Sequence, residues 1–222
     1  MLVRLFALCA IVSMMAATAS AQFGKPEPTP KSAEEYFAER AMRDASRLTR
    51  GVEGRDIIRP EDGMDLLRAE RRMEEAFEIY QRFCTDRSLP QDQWARNCFA
   101  LGDLHRRGAG TVQDYAAAKV QYDAACLDGR HINACLQQAY ISALGSSGTE
   151  DLDHARMLYE RACNLDSPSG CAGLGNMMYM GRGGTRERPT AVRLLQDACS
   201  DEYDWACTRL IEYGLPTRLD RF

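Results

Sequence analysis

The residues best suited to chemistry in this 222-residue chain are its nine cysteines. Eight of them form two interleaved ladders. Cys98, Cys135, Cys171 and Cys207 are separated by 37, 36 and 36 residues. Cys84, Cys126, Cys163 and Cys199 are separated by 42, 37 and 36. In chain order they make four close pairs, 84/98, 126/135, 163/171 and 199/207. Two kinds of thiol chemistry compete for such pairs. Zinc sites favour close spacings such as Cys-x₂-Cys, often with histidine. No such spacing occurs, and His105, His131 and His154 fall at different phases of the period. An even cysteine count in an exported chain reads instead as a set of disulfides. A fixed period of 36–37 residues means stacked helical repeats.

Two helix types must position these thiols. The first, B, carries alanine, an apolar residue four on, and a pair ending in cysteine. Its copies are Ala76-Tyr80-Phe83-Cys84, Ala118-Tyr122-Ala125-Cys126, Ala155-Tyr159-Ala162-Cys163 and Ala191-Leu195-Ala198-Cys199. Offsets of 0, 4, 7 and 8 share one helix face. The alanines let neighbouring helices approach, and the aromatic fills the space between them. The second type, A, starts near the other cysteine of each pair: Cys98-Leu101-Gly102-Leu104-Gly108, Cys135-Gln138-Ala139-Ile141-Gly145 and Cys171-Leu174-Gly175-Met177-Gly181. The glycine ten after the cysteine is a helix stop. A fourth copy, Cys207-Leu210-Ile211-Gly214, is shorter, as a terminal capping helix should be. Second glycines at Gly110, Gly148, Gly183 and Gly184 widen the turn into the next B helix.

The ends bound the rest. Met1–Arg4 is a basic start, Leu5–Ala17 an apolar run too short to span a bilayer, and Ala19-Ser20-Ala21 a small-residue cleavage site. A signal peptide is therefore expected over residues 1–21, and it contains Cys9. Gln22–Lys31, with Pro26, Pro28 and Pro30, reads as a stiff linker. The repeat domain follows over 32–214, and 215–222 is a tail. Ser32 and Glu35 form a capping-box signature for a first helix running to about Arg50, stopped by Gly51, with a loop over Gly51–Gly63. Cleavage removes Arg4, leaving 27 of the 28 basic residues against 32 acidic ones, a net charge of −5. That balance argues against nucleic acid as a partner. The location expected is the periplasm or the medium, with no membrane insertion after cleavage.

These helix patterns resemble the Sel1-like repeat family, related to the tetratricopeptide repeat, and within it the cysteine-rich secreted branch typified by the Helicobacter cysteine-rich proteins. The resemblance covers roughly Met73–Gly214. Three features depart from it: the long gap between Cys84 and Cys98, Gln138 where leucine is usual, and Leu195 where tyrosine is usual. It implies an all-α solenoid of about four helix-turn-helix repeats, each stapled by a disulfide. The first helix would be the cysteine-free A partner of the first B helix. Eight cysteines allow 105 connectivities, which sequence alone does not resolve. Adjacency of the end of B and the start of the next A favours Cys84–Cys98, Cys126–Cys135, Cys163–Cys171 and Cys199–Cys207.

Catalytic motifs are scarce. Ser-x-x-Lys, Lys-Thr-Gly, Ser-Asp-Asn, Gly-x-Ser-x-Gly and His-Glu-x-x-His are all missing. Gly181-Arg182-Gly183-Gly184 has a phosphate-loop flavour but falls at an inter-helix turn, with no Gly-Lys-Ser/Thr after it. Met177, Met178 and Met180 have soft sulfur suited to copper(I), yet Met177 occupies a core phase. No cofactor or metal is expected. Ser142, Ser146, Ser147 and Ser169 lie near turns with no evident base in the sequence. Binding is thus the leading reading. Offsets 1, 5 and 8 from each A cysteine point together away from the core. They place Phe99, Asp103 and Arg106; Leu136, Tyr140 and Ala143; Ala172, Asn176 and Tyr179; and Thr208 and Glu212 in one stacked row. Such a row suits a protein or extended peptide held by a monomer. Two alternatives come from resemblance alone. Members of the cysteine-rich branch are labelled β-lactamases or penicillin binders. A mitochondrial cytochrome c oxidase assembly factor shares a similar disulfide-bonded repeat.

Overall fold

The structure, a computed structural model, describes residues 28–52, 60–146 and 148–217. The expected signal peptide, most of the linker before Pro28 and the end of the tail lie outside the described residues. The described residues are helical with no strand, and A and B helices alternate along the chain. The A helices are α1 (Ala33–Val52), α3 (Gln91–Arg107), α5 (Ile132–Leu144), α7 (Pro168–Met180) and α9 (Asp204–Glu212). The B helices are α2 (Pro60–Thr85), α4 (Tyr115–Leu127), α6 (Leu152–Cys163) and α8 (Arg188–Ser200). Each helix packs mainly on its chain neighbours, the arrangement of a solenoid.

The repeated alanines are why this stacking is close. Ala76, Ala118, Ala125, Ala155, Ala162 and Ala191 are all fully buried. Tyr122 fills the space they leave and is itself fully buried. Its ring lies on Gly102 of α3, where a Cβ would come within 2.8 Å of it. Gly175 repeats that relation with α8, where an added Cβ would meet Ala191 O at 3.0 Å and Leu195 Cγ at 3.2 Å. Leucine is branched and shorter than tyrosine, which suits it to this narrower space.

Local signals set the helix limits. Ser32 and Glu35 form the expected box: Ser32 N donates to Glu35 Oε2 at 2.7 Å, and Glu35 N to Ser32 Oγ at 3.2 Å. Side chains of Asp114, His131, Asp151 and Ser167 accept from the first-turn amides of α4, α5, α6 and α7. Gly108, Gly145 and Gly181 close α3, α5 and α7 in the left-handed conformation. Gly183 is constrained differently. It combines a φ of 64° with a Cβ position 2.1 Å from Leu152 O, so the turn sits directly on the backbone that opens α6.

One expected boundary is corrected. The loop over Gly51–Gly63 is shorter than that, because α1 continues through Gly51 to Val52 and α2 already begins at Pro60. Proline suits this first position, since its fixed φ is helical and the N–H it lacks has no partner there. The long gap between Cys84 and Cys98 is also accounted for. Helix α3 starts seven residues before its cysteine, whereas α5, α7 and α9 start three before theirs. The added turn carries Trp94, a buried residue whose indole N–H donates to Cys84 O at 2.7 Å.

The four disulfides are Cys84–Cys98, Cys126–Cys135, Cys163–Cys171 and Cys199–Cys207. Each joins the end of a B helix to the next A helix. Replacing Cys163 and Cys171 together by serine should lower unfolding stability by about 2–3 kcal/mol, the loop-closure entropy of a short bridge, read by denaturant melts. Gly183→Ala should lower it by roughly 1–3 kcal/mol through backbone displacement with every disulfide intact. An unchanged melting midpoint in that variant would contradict the close approach at Leu152.

Candidate functional site

The A helices carry two clefts in succession. The first lies between α1, α3 and the start of α5 and holds about 270 Å³. The second lies between α5, α7 and α9 and holds about 430 Å³. Each also receives the tyrosine of the intervening B-helix pattern, Tyr80 in the first and Tyr159 in the second.

The first cleft combines charged groups with apolar ones, and its organising polar group is Glu35. This carboxylate is 3% exposed. Besides its capping-box bond it accepts from Gln93 Nε2 at 3.0 Å and Asn97 Nδ2 at 2.9 Å, with the Arg96 guanidinium 3.6 Å away. Gln93 sits on the added turn of α3 and Arg96 and Asn97 on the turn after it, so the insertion that lengthens the Cys84–Cys98 gap adds one of the ties between α3 and α1. Two buried atoms among the lining residues have no hydrogen-bond partner, the acceptor Asn97 Oδ1 and the donor Arg96 Nε. The segment Pro28–Lys31 runs non-helically along this edge. Thr29 donates from its backbone N (2.7 Å) and its hydroxyl (2.6 Å) to Asp92 Oδ2, and its carbonyl accepts from Arg96 at 3.2 Å.

His131 closes the first cleft from α5. Its Nδ1 accepts from Ala134 N at 3.3 Å and its ring stacks on Phe99 at 4.7 Å. Burial, and then the nearby positive charge of Arg96, push its pKa down to about 4. The ring is therefore neutral at neutral pH, as an acceptor at a helix N-terminus must be.

The second cleft is aromatic. Leu136, Tyr140, Tyr159, Tyr203 and Trp205 line it, and no charged side chain does. Tyr140 is 57% exposed. Burial, followed by the neighbouring phenols of Tyr203 and Tyr140, pushes the Tyr159 hydroxyl up to about 12. Tyr159 lies against Gly173, where a Cβ would come within 2.4 Å of the ring.

The residues expected to form one row are divided by the structure. Phe99 and Asp103 line the first cleft, and Leu136 and Tyr140 the second. Asp103 is paired with Arg106 at 2.6 Å and Arg107 at 2.6 Å, and Arg106 Nε also donates to Tyr122 at 3.3 Å. Ala172 is fully buried and belongs to the core, correcting its place in the row. Asn176 and Tyr179 are held by the C-terminal end: Asn176 Oδ1 accepts from Tyr213 at 2.5 Å, and Tyr179 stacks on Tyr213 at 4.0 Å. Thr208 and Glu212 are exposed on α9, and Glu212 pairs with Arg209 at 2.7 Å. Sequence reasoning missed Tyr203 and Trp205, which precede Cys207 and lie outside the offsets used. Their clustering next to the last cysteine was the one available signal.

A base for Ser142 also escaped the sequence. Ser142 Oγ lies 3.2 Å from His154 Nδ1, and His154 Nε2 lies 3.5 Å from Asp123 Oδ1. Gln138 Nε2 donates to the same serine oxygen at 3.2 Å, and Lys119 Nζ lies 3.4 Å from His154 Nδ1. The order of groups is that of a nucleophile relay. Its surroundings are not those of an active site, since Ser142 is 2% exposed, Gln138 is fully buried and neither cleft is lined by either. The relay joins α4, α5 and α6 through the core, where Gln138 replaces leucine. Met177 and Met178 are buried in the core, while Met180 is half exposed. Among the described residues no three His, Cys, Asp or Glu side chains converge as a metal site, and no helix is long and apolar enough to cross a membrane.

No protein-family model matches the chain, and no curated protein sequence matches it. Solved structures do. A protective antigen present in uropathogenic Escherichia coli strains, displaying a Sel1-like repeat fold, is similar at 19% identity and a TM-score of 0.58, over 83% of this chain and 37% of that longer one. A Sel1 repeat protein from Oxalobacter formigenes is 23% identical over 53% of this chain and 88% of that one, at a TM-score of 0.48. Cysteine-rich protein B of Helicobacter pylori is 22% identical over 64% of this chain and 96% of that one, also at 0.48.

The state of His131 gives a pH dependence. Its folded pKa lies below its unfolded value of 6.5, so the unfolded chain binds the extra proton first. Its contribution is complete above 6.5 and declines as pH falls toward 4. Between pH 7 and pH 5 the chain should lose roughly 2 kcal/mol from this group. His131→Asn keeps a capping acceptor and should flatten that part of the stability–pH curve; an identical slope in the variant would refute the assignment.

Proposed function

We propose that this chain, which has the Sel1-like repeat fold, is an exported, non-enzymatic scaffold that holds an extended segment of a partner protein along its A helices. The observation that carries this reading is the uncovered aromatic cleft between α5, α7 and α9. Four aromatic side chains meet there around a half-exposed Tyr140. Aromatic residues are enriched at the energetic centres of protein interfaces. Four disulfides fit an oxidising, extracytoplasmic compartment. Within it, the periplasm or the medium is the proposed location, reached through the leader read at Met1–Ala21, and the acting form is a monomer.

The Ser142–His154–Asp123 relay is the observation that favours a second reading, hydrolysis of a β-lactam or related acyl group. The enclosure of Ser142 weighs against it. Turnover of a chromogenic cephalosporin by the oxidised chain, abolished by Ser142→Ala, would favour the enzyme over the scaffold.

A photo-crosslinking residue at Tyr140 should attach a discrete partner in the native envelope, while the same residue at Val120, exposed on α4, should not. Gly173→Ala, which displaces the Tyr159 ring, should reduce the Tyr140 yield severalfold. Equal yields at Tyr140 and Val120 would overturn the groove assignment. The identity of the captured protein would also show whether the chain serves the assembly of an envelope or respiratory complex.

A further inference from the structure

The two clefts on the A helices ask for different ligand chemistry. The first has five charged side chains, Lys31, Glu35, Glu39, Arg96 and Asp103, beside apolar ones such as Met42 and Phe99. The second has no charged lining residue. Its polar edge is the Gln137 amide, the Ser169 hydroxyl and four aromatic donors, the hydroxyls of Tyr140, Tyr159 and Tyr203 and the indole N–H of Trp205. None of these four aromatic groups donates a hydrogen bond to another described residue. The cleft therefore presents flat apolar rings together with uncommitted donors.

A polyproline II segment is the complement of that surface. It makes no internal hydrogen bonds, so its carbonyls are free to accept. Its prolines have no N–H, so burying them strands no donor. Their rings pack on aromatic faces, and the segment is already extended, which limits the entropy lost on docking. The chain offers its own precedent on a different A helix, α3. Thr29, bracketed by Pro28 and Pro30, is held non-helically against α3 by its backbone N–H and C=O. That contact consists of hydrogen bonds to the charged side chains of Asp92 and Arg96. The second cleft offers aromatic faces and hydrogen-bond donors without charged side chains.

We propose that the cleft formed by Tyr140, Tyr159, Tyr203 and Trp205 binds an uncharged, proline-rich extended segment of a partner protein. This rests on the groove reading above and specifies what the groove recognises. Gly173 has a defined part in it, since any side chain there would drive the Tyr159 ring from its place in the cleft.

The test uses the oxidised full-length chain and three fluorescent peptides: octaproline, a proline-free alanine/serine peptide of equal length, and this chain's own Gln22–Lys31. Octaproline should bind at least tenfold more tightly than the alanine/serine peptide and shift the emission of Trp205. The second tryptophan, Trp94, is 4% exposed and should not respond. Tyr140→Ala should weaken octaproline binding tenfold or more. That residue is exposed, so its truncation leaves the core untouched. Trp205→Phe should remove the emission change while retaining part of the affinity. Equal binding of the alanine/serine peptide, lost with Tyr140→Ala, would overturn the proline inference and leave the groove reading standing. Tightest binding by Gln22–Lys31 would assign the cleft to a second copy of this chain and overturn the partner-protein proposal. Octaproline binding unaffected by Tyr140→Ala, or no binding of any peptide, would overturn it outright. In those cases position-dependent crosslinking at Tyr140 still decides separately whether the groove engages a protein at all.

Discussion

Close approach of small-faced helices is the constraint on which the rest of this molecule depends. A helix pair of some 36 residues has too little apolar surface to bury by itself, and in a solenoid it gains burial only from its neighbours. Alanines at every B-helix contact bring the helices together, and one large residue per repeat fills the remaining space. Where that residue is Tyr122, glycine is needed opposite it at Gly102. Where the filler is Leu195, Gly175 leaves contacts of 3.2 Å. The ring of Tyr159 is only half buried and forms a wall of the aromatic cleft. One repeated position thus serves as core filler in one repeat and as the wall of a cleft in another.

Whatever recurs along this chain was legible in its sequence. The cysteine ladders, the alanine-tyrosine spacing and the stop glycines repeat, and four copies reinforce each other against chance. The helices fall where that pattern puts them, and Ser32 and Glu35 were readable because a capping box spans three residues. The candidate site was legible only in part. Tyr140 and Leu136 were found by helical phase. Trp205 and Tyr203 were not, because they sit on a short terminal helix outside the repeat phase. Glu35 meets Gln93 and Asn97 across 58 and 62 residues, and Gln93 lies on a turn present once. His154 reaches Ser142 across an A-to-B turn, and its neighbour Asp123 lies on the preceding helix. Contacts made once, between distant segments, have no period to reveal them.

The departures from the repeat consensus share a physical theme. Gln138 replaces a core leucine, and of the polar atoms it introduces Nε2 is met by Ser142, which in turn meets His154, while Oε1 has no hydrogen-bond partner among the described residues. Burial raises the pKa of Asp123 beside them, against the opposing pull of His154 and Lys119. Such a network gains little over an apolar core in stability, since each buried polar group must first be desolvated. It does require one relative placement of α4, α5 and α6, and these helices lead into the aromatic cleft.

The placement of the disulfides also divides the two edges of the solenoid. Every bridge spans a B-to-A turn, and the A-to-B turns at 108–114, 145–151 and 181–187 have none. A peptide bond cut within Leu127–Ala134 or Asn164–Gly170 leaves the two halves covalently attached. The same cut on the opposite edge severs the molecule. In an envelope or medium containing proteases, one edge can be nicked without loss of the assembled groove. A single cut in any of the three short connections described on the other edge is then enough to end the array.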